Sequence, residues 1–460
     1  MAGPLHTSAS PVAGELRALL RLAGPLALAQ AGNQLMSLVD VAMVGRLGPT
    51  AMGGVSIGNG LYFTVAVFGI GAVLGADAPI AQAIGAGEGL LARRLLWQAL
   101  RLALLVGVPA VIVVGVASLA LEAVGVSPAV AVQTRRYLLG RLPNAVPLLA
   151  FIALRGYLQA VGRTRPIVVA MVLANLTNVA GNALFVFGDA TLLRLGLPAV
   201  GLPALGVTGS GLASTLSSFL SVALLAVAVR GLPLDEDPRR RRHDGALLRK
   251  ILRLGSPVGL QMVAEVGVFA LAGILAERFG PTAVAGHQVA LTLASFSFCV
   301  ALGVAAATSV RVGHHIGAGE SARARRAGFL GLGAGATFMS LSALAFAIAP
   351  RLLARLLTDE AEVIAAAAPL VVIAAVFQLS DGAQAVGAGA LRGAGDTRLP
   401  LWANLLGHYL VGLPVAVLLG FSFGLGAKGL WWGLSAGLTA VAIGLVLRFH
   451  RLTLRPLTRA

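Results

Sequence analysis

The chain has 460 residues, of which 57% are hydrophobic and only 12% charged, with a formal net charge of +17. A water-soluble domain carries about 25% charged residues, so an ordinary soluble fold is excluded. Aromatic residues are only 5% and do not interleave with the basic runs, which leaves no nucleic-acid surface, and the one cysteine, Cys299, excludes a disulfide framework.

Apolar runs follow one another along the whole length, near 16–44, 52–83, 95–121, 133–154, 166–188 and 204–229, then 254–277, 283–312, 327–350, 363–388, 400–421 and 428–447. Each is long enough to cross a bilayer as a helix, about 20 residues. Helices satisfy their own backbone in lipid, and these runs lack the alternation of a membrane β-barrel. The fold class expected is therefore an all-α integral membrane protein with twelve transmembrane helices in two pseudo-symmetric six-helix lobes. The N-terminal MAGPLHTSAS has no basic residue ahead of the first apolar run, so the first span is expected to serve as its own insertion signal.

The two lobes come from an internal repeat. RLGPTA at 46–51 returns as RFGPTA at 278–283, IGAGE at 84–88 returns at 316–320, and Pro25 falls on Pro257, all at one offset of 232. Farther along the offset grows by one, so that Gly162, Thr164 and Arg165 fall on Gly395, Thr397 and Arg398. The organisation read from this is an N-terminal lobe 1–230, a cytoplasmic linker 231–253 and a C-terminal lobe 254–460. Six spans return the chain to its starting side, so the halves run parallel, as in some secondary transporters.

Placing both termini in the cytoplasm puts most Lys and Arg residues inside, including the run Arg239–Arg242, as the positive-inside rule asks. Arg135, Arg136 and Arg141 are the weak point, crowding the outer start of the fourth span. The basic excess reads as topology and lipid-headgroup contact. The location expected is the plasma membrane, the inner membrane in a bacterium.

Three acids fall well inside spans: Asp40 in the first, Glu265 in the seventh and Asp381 in the tenth. A carboxylate at mid-membrane costs about 2.5–3.5 kcal/mol on insertion scales, so such groups mark wet, functional cavities or else structural polar contacts. Asp77 reads equally as a solvated helix-end acid or a buried one. At the 232 offset Glu265 falls on Asn33, which lies seven residues before Asp40 and so on the same helix face. In the fifth span Asn175, Asn178 and Asn182 share a face. They suit a polar or cationic ligand, or hydrogen bonds between helices. Pro25 and Pro257 read either as helix bends or as first-turn prolines. Phe63, Phe68, Phe269, Phe296 and Phe298 are packing residues or a cation-attracting wall. HExxH is absent, His314-His315 has no ligand set, and neither an enzyme nor an aspartyl-protease motif is expected.

These residues resemble a known family. FQLSDGAQAVGAGALRGAGDTR at 377–398, VAGHQVALTLASFSFCVALGVAAATSVRVGHHIGAGE at 284–320 and VDVAMVGRLGPTAMGGVSIG at 39–58 look like the multidrug and toxic compound extrusion family, in its NorM-type branch. The resemblance runs from about 15 to 450. It implies export of varied, often cationic and lipophilic drugs, driven by inward Na+ or H+, by a monomer with no cofactor whose other partners are membrane lipids. It also implies cation coupling through Asp40, Glu265 and Asp381, the last two as Na+ ligands, with Na+ expected and H+ the alternative. Candidate cavity residues are Asn33, Gln34, Asn175, Asn178, Asn182, Phe269 and Gln378. Another branch carries an Asn and an Asp four apart on the fifth span; the matching pair here is Asn178 and Asn182, without the acid. The alternative function is a lipid-linked precursor flippase of the same superfamily, which favours a basic central cavity.

Overall fold

The computed structural model describes residues 11–194, 196–232 and 242–460. Among them there is no strand. The chain folds into twelve long helices: α1 (Pro11–Gly45), α2 (Pro49–Gly85), α3 (Gly89–Leu119), α4 (Pro128–Ala160), α5 (Arg165–Phe187) and α6 (Val207–Arg230) form one lobe. The other holds α7 (Gly245–Glu277), α8 (Pro281–Gly317), α9 (Ser321–Ile348), α10 (Ala361–Gly393), α11 (Arg398–Ser422) and α12 (Ala427–Leu452). Eleven are long and apolar enough to span a membrane by composition. The twelfth, α1, is more polar because its central stretch carries Gln30, Asn33, Gln34 and Asp40.

Several helices outrun the hydropathy that predicts them. α1 and α7 begin well before their apolar runs, so Pro25 and Pro257 lie inside helices rather than in a first turn. The start of α7 falls within the stretch read as a linker. Its N-cap is Asp244, whose carboxylate accepts the backbone N–H groups of Ala246 and Leu247 at 3.1 Å each, the usual way of satisfying helix-start donors. Arg239, Arg240 and Arg241 lie outside the described residues.

Three spans are internally broken. α2 is interrupted at Gly75–Ala76 and resumes at Asp77. α4 passes through a short 3-10 turn at Leu142–Asn144, where Pro143 removes a backbone donor. α11 is wound as a π-helix over Leu406–Gly412 and again over Leu418–Ser422, a geometry frequent at functional sites.

Among the described residues the lobes share a core at the end where α1 begins, with Leu19, Leu26, Val73 and Ile80 packed against Val258, Ala301 and Ala305. At the opposite end each lobe has a private core: Val44, Val55, Tyr62 and Tyr137 in one, Val268, Ala290, Phe377 and Trp431 in the other. The shape is a V open away from the start of α1. Glycines make the joined end close. A Cβ at Gly71 would run into the Gly259 backbone, one at Gly75 into Gly255, and one at Gly85 into His314. Polar clasps flank this seam. Glu15 of α1 accepts Arg311 Nε at 2.8 Å and Nη2 at 2.5 Å from α8, and His315 Nε2 lies 3.1 Å from the same carboxylate. His314 donates to the Ala160 carbonyl at 2.7 Å, and Arg459 pairs with Glu88 at 2.7 Å.

Candidate functional sites in the two lobes

In the lobe of α1–α6 the acid is Asp40, which is only 7% exposed. Its Oδ1 accepts the side-chain amides of Asn178 at 3.0 Å and Asn182 at 2.7 Å, both from α5, and its Oδ2 accepts the Ser214 hydroxyl at 2.7 Å from α6. One helical turn separates the two asparagines, so α5 presents both amides to one carboxylate. Hydrogen bonds to a carboxylate are stronger than neutral ones, about 1.5–3 kcal/mol each. The asparagines' own carbonyl oxygens are shut from solvent and have no donor. Asn175 stands apart from this group and donates back to the Met171 carbonyl at 2.9 Å. Asn33 is exposed on α1 and Gln34 is half-buried, and neither side chain is among the hydrogen-bond partners of Asp40.

Arg141 is the residue of this lobe that sequence reasoning misplaced. Rather than sitting on an outer helix end, its guanidinium lies inside the lobe over the Tyr62 ring, 5.1 Å from the centroid, and within electrostatic reach of Asp40. The carboxylate's own hydrogen-bond partners are Asn178, Asn182 and Ser214.

The lobe of α7–α12 is built differently. Glu265 on α7 accepts the Gln384 amide at 3.1 Å from α10 and, at a longer 3.4 Å, the Asn404 amide from α11. Asp381 lies one turn before Gln384 on α10, 6% exposed, and within electrostatic reach of Glu265. No Lys or Arg among the described residues forms an ion pair with either acid. Gln378, one turn before Asp381, is fully buried and accepts the Ser297 hydroxyl at 2.7 Å, while its Nε2 has no acceptor. The carbonyl oxygens of Gln384 and Asn404 have no donor, and both ring nitrogens of the fully buried His408 lack partners. Phe269 closes this side, packing edge-on against Phe377 and tilted against His408.

The structure therefore brings Glu265, Asp381 and Gln378 together with Phe269 nearby, and separately Asp40, Asn178 and Asn182. Ser214, Arg141, Gln384, Asn404 and His408 were not picked out from the sequence. Gln378, Asp381 and Gln384 nonetheless form a polar stripe at three-residue spacing, which is a legible signal. Asp77 belongs to neither cluster. It lies at the seam, partly buried, with its Oδ1 against Gly156 and with Arg155 of its own lobe and Arg392 of the other within electrostatic reach. Gly393-Ala394-Gly395-Asp396 does spell the GxGD pattern of an intramembrane aspartyl protease. Asp396, however, pairs with Arg448 at 2.8 Å just past the end of α10. At 1.5 Å rise per residue it lies roughly 20 Å from Asp381, too far for an acid pair.

Comparison with known proteins agrees with this architecture. The profile of the MatE family matches twice, over residues 25–184 and 257–418, reproducing the repeat. The chain is 40% identical to the probable multidrug resistance protein NorM of Deinococcus radiodurans over 95% of both chains. It is 34% identical to the multidrug resistance protein NorM of Burkholderia vietnamiensis over 97% of both. Among solved structures, an outward-facing multidrug resistance MATE family transporter of the MOP superfamily superposes with a TM-score of 0.85 at 21% identity, covering 95% of this chain and 96% of that one. The eukaryotic MATE transporter AtDTX14 superposes at 0.81, with 21% identity and the same coverage.

Proposed function

The chain belongs to the MatE family, the multidrug and toxic compound extrusion family, and on that premise we propose that it is a cation-coupled antiporter that exports varied, often cationic lipophilic compounds. The single observation that carries the coupling is the pair Glu265 and Asp381. They are two acids in one lobe with no basic partner among the described residues, beside amide oxygens that lack donors. Anionic and carbonyl oxygens are the ligands a hard cation takes. Two unbalanced carboxylates inside a bilayer are expensive unless a positive charge joins them. A Na+ ion or a proton supplies it, so this lobe is the natural seat of the coupling ion, and Na+ is the ion we assign.

Asp40 differs in its surroundings: three side-chain donors, from Asn178, Asn182 and Ser214, already satisfy its carboxylate. We assign the Asp40 lobe to the drug. The arrangement supports alternating access: with both termini cytoplasmic, the V opens outward. Entry of a cation at Glu265 and Asp381 biases the equilibrium between outward- and inward-open states only as far as its affinity for the two differs. The acidic charge of the second lobe disfavours a pyrophosphate-bearing lipid precursor as cargo.

Purified protein in liposomes, loaded with a fluorescent lipophilic cation and given a Na+ gradient with the pH gradient collapsed, tests the assignment. Efflux is expected. Efflux under a pH gradient alone, and none under Na+, would transfer the role to the proton; efflux with neither gradient would remove ion coupling altogether.

A further inference from the structure

The residues after α12 cross from their own lobe to the other. Thr453 closes the helix, its hydroxyl donating to the Phe449 carbonyl at 2.9 Å. Leu457 then packs on the apolar core of Ile316, Ala324 and Phe449, and its backbone N–H donates to the Ser321 hydroxyl at 3.0 Å. Two residues later the contacts change lobe. Arg459 donates through Nη2 to the Gly317 carbonyl of its own lobe at 3.0 Å and through Nη1 to Glu88 of the other at 2.7 Å. The Ala460 N–H donates to the side-chain carbonyl of Gln82, on α2, at 2.9 Å. Gln82 is 2% exposed, and its Nε2 donates at 3.1 Å to the Gly393 carbonyl at the end of α10. Both ends of this one amide are thus fastened to the opposite lobe.

The repeat does not call for this second fastening. At the offset of 232 Gln82 falls on His314, which reaches the Ala160 carbonyl, and at 233 Ala160 falls on Gly393. Each lobe therefore sends one polar side chain to the end of a helix in the other, and that reciprocal pair belongs to the duplicated fold. The bond from Ala460 is an addition to it. The glycine turns carry the same asymmetry. Gly395 takes a φ of 79° in the turn after α10, and a Cβ there would run into Ala460. Its repeat mate Gly162, with a φ of 75° in the turn after α4, has open space at that place. The segment is laid over one side of an otherwise symmetric joint.

We propose that residues 453–460 act as a strap across the seam: fastened, it holds the V closed at the start of α1, and it is released before the lobes part there. The inference rests on the alternating-access reading above and deepens it by naming what regulates the exchange of states. The anchor at Leu457 and the cross-lobe bond at Ala460 are three residues apart, a reach of about 10 Å at full extension. With so little slack, parting of the lobes unfastens the segment rather than stretching it. Its two cross-lobe contacts differ in strength. The Arg459 and Glu88 side chains are 47% and 44% exposed, and an ion pair in such a setting shifts an equilibrium by about fivefold at most. The Ala460 bond ends on a buried acceptor and is worth about two- to tenfold. Contacts of this size bias the two states without locking either.

The test reads how often the seam opens. The parent is the full chain, purified in detergent, with Cys299→Ser and with Val258→Cys, a position 6% exposed in the core that the lobes share. A water-soluble maleimide reaches this cysteine only while the lobes are apart, so the labelling rate scales with the open population. Removing residues 455–460 should raise that rate by about tenfold or more, the two contacts together. Ala460→Pro keeps Leu457 and Arg459 but deletes the N–H that Gln82 accepts, and should raise the rate about threefold. Arg459→Gln should raise it by up to about fivefold in dilute buffer and leave no difference from the parent at about 1 M salt, where the ion pair is screened. If the shortened chain does not fold, the two point variants decide by the same rate. The parent's rate in every variant would overturn the strap, leaving the segment as mere cover. A cysteine that reacts in no variant would strike alternating access itself, and the strap with it. Labelling needs neither cargo nor an ion gradient, so a chain that exports no drug but labels as expected would fail the efflux reading and keep the strap.

Discussion

Gln384 donates its amide N–H to Glu265 Oε2 across 3.1 Å, while its own carbonyl oxygen, shut from solvent, accepts nothing. The donation fixes the amide plane, so the free oxygen is held beside the carboxylate before any ion arrives. Gln384→Leu removes both the positioning bond and an oxygen. Na+ affinity, measured by calorimetric titration of the purified protein, should weaken by about tenfold, the equivalent of one hydrogen bond to a charged group. Unchanged affinity would show that Gln384 is only packing.

Glu265→Gln and Asp381→Asn keep the size and much of the hydrogen bonding but halve the negative charge of the site. Each should abolish Na+-driven drug efflux from liposomes while the protein still inserts and purifies as a monodisperse species. Full efflux by both variants would place the coupling ion elsewhere.

Asp40→Asn should act on the drug and not on Na+. The substitution removes the carboxylate that holds Asn178, Asn182 and Ser214. Drug affinity is expected to fall by about tenfold or more, given about 1.5–3 kcal/mol for each charge-assisted bond. Na+ affinity should stay within about threefold, as expected for distant, independent sites. An equal loss of both would merge the two lobes into a single cation site.

The Glu15–Arg311 clasp should favour the V that is closed at the start of α1. It is a bidentate pair, partly buried, with His315 as a third member. Arg311→Gln leaves Glu15 with one fewer donor and should shift the lobes apart at this end. Spin labels on Leu90 and Arg326, exposed positions on the two lobes, placed in a Cys299→Ser background, report the change as a longer and broader distance distribution. A distribution identical to that of the parent would show the clasp to be surface decoration, worth as little as most exposed ion pairs.

Much of this was open to reading from the chain, because membrane insertion writes itself as hydropathy. The twelve spans, the offset that pairs Pro25 with Pro257, and the three intramembrane acids are all consequences of one-dimensional pattern. The limits are physical as well. The first-turn reading of Pro25 and Pro257 fails, and the alternative of a proline inside a helix holds, because the helices extend into polar turns where hydropathy is silent. Arg141 read as an outer-end charge because only packing reveals that its guanidinium lies over the Tyr62 ring. Asn178 and Asn182 were visible as a shared face, but their common partner came from a helix more than a hundred residues earlier. Neutral polar residues such as Ser214 and Asn404 are frequent in spans, so nothing local sets them apart until an acid is placed beside them.

The glycine seam has a kinetic consequence. Where Gly71 meets Gly259 and Gly75 meets Gly255, helix backbones touch without interlocked side chains. A knobs-into-holes joint can part only after its rotamers rearrange, whereas two smooth backbone faces separate as rigid plates. Their amides are already bonded along each helix, so parting strands no donor or acceptor. The glycine faces therefore lower the barrier to parting locally, and what holds the lobes together is the shared core of Leu19, Leu26, Val73 and Ile80 against Val258, Ala301 and Ala305, with the clasps at its rim.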